Sequence, residues 1–258
     1  MKVIKQLKGN SGCGVFLIED EERGLVVRKI ASSSLYSARL EQQYFKQKSF
    51  SHNLVKAPKI FKSGVNNDLF YFDMEYVKGE SFHNFISTHT PAESLTILKN
   101  IFSIYKSNGN MEATEIINRK IDSLIILSGY NSLLRYCSHF DWSGIPQSDC
   151  HGDLSFENII IKNNTPYLID FLDSFIDTNL IDISKVFSDL MFGWSWRKKN
   201  NFPFVKNIII LQELQANLTH AEKELHKRLI CLHLLRALPY SKDALTEDFL
   251  KKSLDYFL

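Results

Sequence analysis

Along the first third of the chain apolar and polar residues alternate in short runs, whereas beyond residue 79 apolar positions recur every three or four residues. The first pattern predicts strands. Residues 1 to about 31 read as a small antiparallel sheet: an opening apolar run, a glycine-rich turn at residues 9–14, then runs at 15–19 and 25–30 around a polar turn at 20–24. Leu40, Tyr44 and Phe45 fall at helical spacing within residues 35–48, and two further strands are expected near 59–61 and 69–76. The second pattern predicts helical segments at about 91–107, 113–138, 180–193, 205–238 and 244–257, interrupted by a strand-rich stretch at 158–170. The expected class is α+β: a small antiparallel β-rich part over residues 1–77 and a larger helical part over 78–258, joined by a short hinge.

Composition narrows the partners. The chain has 258 residues, 44% of them hydrophobic, which is enough for a full core at the boundary between one domain and two. A net charge of +2 argues against nucleic acid or a membrane surface as main partner, because such binders concentrate a basic stripe. Cys13, Cys137, Cys150 and Cys231 form no C-x-x-C pair and have no histidines at zinc spacing, so neither a structural metal nor a disulfide framework is expected. The N-terminus lacks the features of a secretory signal and no run of about 18 apolar residues occurs, so a cytoplasmic setting is expected.

The chemistry concentrates in His151-Gly152-Asp153-Leu154-Ser155-Phe156-Glu157-Asn158, followed by Leu168-Ile169-Asp170-Phe171. The spacing H-x-D-L-x-x-x-N matches the kinase catalytic loop, where the aspartate takes or orients the proton of the acceptor hydroxyl and the asparagine holds a metal ion. Between Asn158 and Asp170, β-prone runs at 159–162 and 166–169 flank Asn163-Asn164, a pair suited to a two-residue turn with positive φ. Such a hairpin pairs Lys162 with Thr165 and brings Asn158 opposite Ile169, next to Asp170. An amide oxygen and a carboxylate suit magnesium, which takes oxygen ligands and completes its shell with phosphates and water.

Upstream, Gly12 and Gly14 belong to a turn of the kind that lets backbone N–H groups approach phosphates. One strand later comes Val26-Val27-Arg28-Lys29-Ile30, matching the strand that carries the phosphate-binding lysine of kinases. Strand alternation places Lys29 on the face of Val27 and Arg28 on the other, which favours Lys29 and leaves Arg28 as the alternative. Glu41, on the following helix, is the expected ion-pair partner of Lys29. Residues 72–79 read as a hinge, where the carbonyl of Glu75 and the N–H of Val77 would meet an adenine edge.

Together these stretches resemble the aminoglycoside phosphotransferase and choline kinase superfamily, over roughly residues 5–193. The resemblance implies a bilobal protein-kinase-like fold, ATP as phosphoryl donor, Mg²⁺ at Asn158 and Asp170, and Asp153 as catalytic base. It assigns His151 to the catalytic loop and Asp182 to bracing that loop; an acidic residue at a helix N-terminus is an equally good account of Asp182. Two departures matter. Asp170-Phe171-Leu172 replaces Asp-Phe-Gly with no room for an activation loop, which disfavours a protein substrate. The lysine that protein kinases carry two residues after the catalytic aspartate is here Ser155.

For the acceptor, Asp173 offers negative charge, while Trp194, Trp196 and Arg197 suggest a sugar ring stacked beside a cation. Core packing competes as an explanation of the tryptophans. The expected substrate is a hydroxyl of a sugar, polyol or sugar derivative of a bacterial surface-polysaccharide pathway, with choline, ethanolamine or an aminoglycoside as alternatives. A catalytically inactive nucleotide-binding module of the same fold is the rival of another class, opposed by the presence of Asp153, Asn158, Asp170 and a strand lysine together.

Overall fold

The computed structural model describes residues 2–7 and 13–258. The chain divides into two compact units, one formed by Met1–Glu80 with Ile159–Asp173 and the other by Ser81–Asn158 with Ser174–Leu258.

In the first unit, β1 (Lys2–Leu7), β2 (Cys13–Asp20), β3 (Gly24–Ala31), β4 (Ile60–Asn66) and β5 (Leu69–Glu75) form an antiparallel sheet in the order β1-β2-β3-β5-β4. Its turns follow from local chemistry. Asp20 Oδ1 accepts the N–H groups of Glu22 and Arg23 at 3.2 and 3.1 Å ahead of Gly24, and Asn67 and Asp68 take positive φ between β4 and β5. Helix α1 (Ser34–Ser49) starts at Ser33, whose hydroxyl caps the N–H of Tyr36. It buries Leu40 and Tyr44 against Leu17, Val27, Phe70, Phe72 and Met74 of the sheet. Phe45, grouped with that face in the sequence, is instead more than half exposed, because the buried stripe runs through residues 40, 43, 44 and 47.

A hairpin of strands Ile159–Lys162 and Thr165–Leu168 completes this unit. Asn163 and Asn164 both take positive φ, and the register pairs Lys162 with Thr165 and Ile159 with Leu168, as their spacing predicts. The hairpin is anchored by backbone bonds from Lys56 N–H to the Pro166 carbonyl and from Leu168 N–H to the Lys56 carbonyl.

The second unit is helical: α2 (Phe82–Thr88), α3 (Pro91–Phe102), α4 (Thr114–Asp122), α5 (Asn131–Ser138), α6 (Asn179–Phe192), α7 (Phe204–Gln215), α8 (His220–Ala237) and α9 (Ala244–Leu254). Two expected long helices are each split. The 113–138 segment breaks after Asp122, leaving Ile125 and Ile126 exposed, and the 205–238 segment breaks before Thr219, which opens α8 through a reciprocal capping box with Glu222. Helix α2 was not anticipated, being too short for periodicity to reveal. Helix α6 packs against α7 and α8 and buries Ile181, Val186, Phe187 and Leu190. Among the described residues no helix is long and apolar enough to cross a membrane.

Gly79 packs against the hairpin so closely that a Cβ there would overlap the Ile161 carbonyl and the Ile160 side chain. Gly79→Ala is therefore expected to destabilise the protein by about 1–3 kcal/mol, a loss of roughly 2–10 °C in Tm by calorimetry. An unchanged Tm would show that this contact is not tight.

Candidate active site

Within the helical unit the loop 151–158 is held by one face of α6. Asp182, Lys185 and Asp189 stand at spacings of three and four and so share a stripe of the helix. Asp182 accepts the backbone N–H of His151 through Oδ2 and that of Gly152 through Oδ1, the latter at 2.9 Å. Tyr105 donates its hydroxyl to the same Oδ2 at 2.9 Å, and burial followed by the Asp182 charge pushes the tyrosine well above its ordinary pKa. One turn on, the Lys185 ammonium donates to Asp153 Oδ1. A further turn on, Asp189 accepts the N–H of Phe156 at 2.8 Å and both the N–H and the hydroxyl of Ser195 at 2.7 Å. Asp182 thus accepts two consecutive backbone N–H groups of the loop as well as the Tyr105 hydroxyl. Lys185 and Asp189 were missed, although charged residues recurring along an otherwise apolar helix were a legible signal.

These bonds leave Asp153 with a defined environment. Its Oδ2 accepts from Asn158 Nδ2 at 3.1 Å, and the same amide nitrogen donates to the Asp153 carbonyl at 2.8 Å. His151 is buried and its Nδ1 accepts the Asp153 N–H at 3.3 Å. Burial opposes the Asp153 charge, but Lys185, then His151 and Asn158, outweigh it and hold the carboxyl below its usual range. The group is thus a fixed, ionised acceptor at neutral pH. Because the amide nitrogen of Asn158 is turned to Asp153, its oxygen is the atom this side chain offers a cation.

In the sheet unit, β3 points its side chains alternately as expected. Arg28 makes a two-pronged ion pair with buried Asp73, at 2.7 and 2.9 Å. Lys29, only 4% exposed, donates to Asp170 and to Gln43 Oε1 at 2.9 Å. The alternative of Arg28 as the cation of this cluster is set aside by that geometry. The Glu41 expectation is corrected too: Glu41 faces solvent, and the residue α1 presents to Lys29 is Gln43, which belongs to the buried 40-43-44-47 stripe. Lys29 consequently has one carboxylate partner and one neutral partner here.

Asp170 takes a positive φ of 61°, a conformation aspartate tolerates better than most residues. The segment it begins is tied to α1 along its length: Phe171 meets Phe50 with ring centroids 5.3 Å apart, the Leu172 carbonyl accepts from Lys46 at 2.7 Å, and Asp173 pairs with Arg39 at 2.9 Å. Glu75 ends β5, its N–H donating to the Lys59 carbonyl and its carboxylate accepting from Lys162 at 3.2 Å, and Val77 is buried. Gly14 lies within β2 opposite Ile30, while Gly12 falls outside the described residues. Among the described residues no group of three or more His, Cys, Asp and Glu side chains is arranged to hold a metal ion.

The suggested sugar-stacking platform is not formed by Trp196. That side chain is 2% exposed and packs among His83, Phe156 and Phe202. Trp194 is half-buried, with the Arg197 guanidinium 4.0 Å from its ring centroid, and Arg197 pairs with Glu157 at 2.9 Å. Core packing explains Trp196, since a large apolar ring gains more from exclusion of water than from a solvent-facing position.

Comparison with solved structures places this arrangement. An aminoglycoside phosphotransferase, a thermostable mutant in ternary complex with ADP and hygromycin B, superposes with a TM-score of 0.68 over 97% of this chain and 92% of its own at 11% identity. The fold is that of the aminoglycoside phosphotransferases and choline kinases. A choline kinase from Cryptosporidium parvum aligns over 98% of this chain and 87% of its own, with a TM-score of 0.57 and 13% identity. A candidate fructosamine-3-kinase from Haemophilus somnus does so over 97% and 90%, with a TM-score of 0.58 and 15% identity. No family model and no curated protein matches at the level of sequence. The kinase-like class expected from the motifs, an N-terminal antiparallel sheet followed by a helical part, is the class observed.

Burial raises the Asp189 carboxyl from 3.8 to about 6 in spite of the N–H groups it accepts. Because the folded value exceeds the unfolded one, its contribution to stability is complete below about pH 4 and is lost as pH rises through about 6. Wild type should therefore lose about 2–3 kcal/mol relative to Asp189→Asn between pH 4 and pH 7. Denaturant titrations of both proteins across that range measure it, and a constant or widening gap in favour of wild type would contradict the assignment.

Proposed function

We propose that this chain is an ATP-dependent phosphotransferase that phosphorylates a hydroxyl group of a small molecule, with Asp153 as catalytic base. The observation that carries the reading is the environment of Asp153: an ionised carboxylate, immobilised between Lys185 and Asn158, on a loop whose backbone is pinned by buried carboxylates of α6. Such a group accepts a proton from an alcohol without first paying to reorganise.

In this reading Lys29, kept in place by Gln43, binds donor phosphates; Gly14, near the start of β2, and Gly12 are proposed to let backbone N–H groups approach those phosphates, and the backbone at Glu75 and Val77 meets the adenine. Asn158 and Asp170 are the proposed Mg²⁺ ligands. Their chemistry fits, since each offers an oxygen donor and the hydrogen bonding of Asn158 directs its oxygen, not its nitrogen, toward a ligand. A bound Mg²⁺ would neutralise phosphate charge. Asp182 and Asp189 keep the loop rigid, and His151 fixes the start of the turn at Asp153. The neighbouring folds include proteins described by aminoglycoside, fructosamine and choline chemistry, which supports an alcohol-bearing small molecule as acceptor. Sugar derivatives and polyols head the order of trial, with Asp173, Trp194 and Arg197 as the side chains proposed near the acceptor; Trp196, packed in the core, no longer supports that preference.

The test is a coupled assay of ADP release with sugars, polyols, aminoglycosides and choline as acceptors. Acceptor-dependent ADP release is expected, and Asp153→Asn should lower kcat by roughly 10²-fold or more with little change in nucleotide affinity. Nucleotide binding without transfer to any acceptor would instead identify an inactive binding module.

A further inference from the structure

The catalytic loop carries a serine where a kinase of the protein-phosphorylating type carries a lysine, two residues after the aspartate. Position 155 of the loop therefore offers no ammonium group to Asp153. Ser155 cannot replace it: the residue is buried, its N–H turns back to the Asp153 carbonyl at 2.8 Å, and its own carbonyl accepts from Asn158 N–H at 2.9 Å. The cation arrives from another element. Lys185 extends from the middle of α6, with a side chain 26% exposed, and its ammonium reaches Asp153 Oδ1 while Asn158 takes Oδ2. Around it, His233 of α8 is held neutral, chiefly by burial and then by the neighbouring Lys185 and Arg236 charges, and its Nε2 donates to the Ile181 carbonyl at 3.2 Å. Asp153 is thus the ion-pair partner of Lys185, and the pair lies between the two carboxylates that clamp the loop.

We propose that Lys185 is a positioning residue for phosphoryl transfer, supplying from helix α6 the cation that position 155 of the loop does not provide. The proposal deepens the phosphotransferase reading and rests on it. Lys185 fixes the rotamer of Asp153, so that the lone pairs of its carboxylate left over from Lys185 and Asn158 are aimed at the acceptor hydroxyl. A long side chain rooted in a helix does this with little freedom, because the helix itself is fastened to the loop one turn before and one turn after. The ion pair spans a sequence separation of 32 residues, which explains why no local motif announces it.

Steady-state kinetics on the full chain separate this role from packing. Lys185→Met, which retains most of the apolar stem, should lower kcat at least about tenfold with KM for ATP changed less than threefold, and Lys185→Arg should recover much of the loss. In addition, Lys185→Met combined with Ser155→Lys should regain at least threefold in kcat over Lys185→Met alone. A kcat within twofold of wild type for Lys185→Met, or an equal loss in Lys185→Arg with unchanged melting, overturns the proposal. A thermal-unfolding double-mutant cycle of Lys185→Met with Asp153→Asn reads the pair without any turnover. Additive effects there overturn it too, whereas coupling in a protein that transfers to no acceptor would refute the phosphotransferase reading and leave the pair standing.

Discussion

Buried backbone N–H groups must find acceptors, and in this protein the loop that carries Asp153 finds them on a single helix. The N–H groups of His151, Gly152 and Phe156 all end on carboxylates of α6. Carboxylates accept such bonds more strongly than neutral groups, and being held by a helix they cannot drift. Apart from a single 3₁₀ turn at Phe156–Asn158 the loop has little regular structure to supply rigidity, so its shape is largely a consequence of where α6 lies. The orientation of α6 in turn follows from its apolar face, buried against α7 and α8.

The same logic applies on a smaller scale around Lys29. A lysine that is almost fully buried is costly unless its charge is answered, and Asp170 answers it. Gln43 contributes an acceptor without a second negative charge, so the local charge is balanced by one carboxylate. Asp170 is held against that lysine by the chain that follows it, which is fastened to α1 at Phe171, Leu172 and Asp173. Placing the aspartate is therefore a property of α1 and the hairpin together, and not of the motif residues alone.

Charge also divides labour between the two faces of β3. Arg28 is spent on buried Asp73, a two-pronged pair that ties β3 to β5, while its neighbour Lys29 turns the opposite way. An arginine suits the first task because its planar fork matches a carboxylate, and a lysine suits the second because a point charge can serve several oxygens in turn.

Several features were legible from the sequence because short-range chemistry decides them. Two consecutive asparagines tolerate positive φ, so the Asn163-Asn164 turn and the register of its hairpin follow from the residues themselves. Alternation along β3 separates Arg28 from Lys29, and the spacing of His151, Asp153 and Asn158 marks the loop. The capping box at Thr219 was equally local, although periodicity alone ran across it. What only the tertiary structure decided are the pairings between residues far apart in the chain. Whether Glu41 or Gln43 faces Lys29 depends on the rotation of α1 against the sheet, and whether Trp196 stacks on a ligand or fills the core depends on which aromatic rings surround it. Lys185 and Asp153 are separated by a whole hairpin and a connecting segment, and no property of either residue names the other until the packing of α6 brings ammonium and carboxylate together.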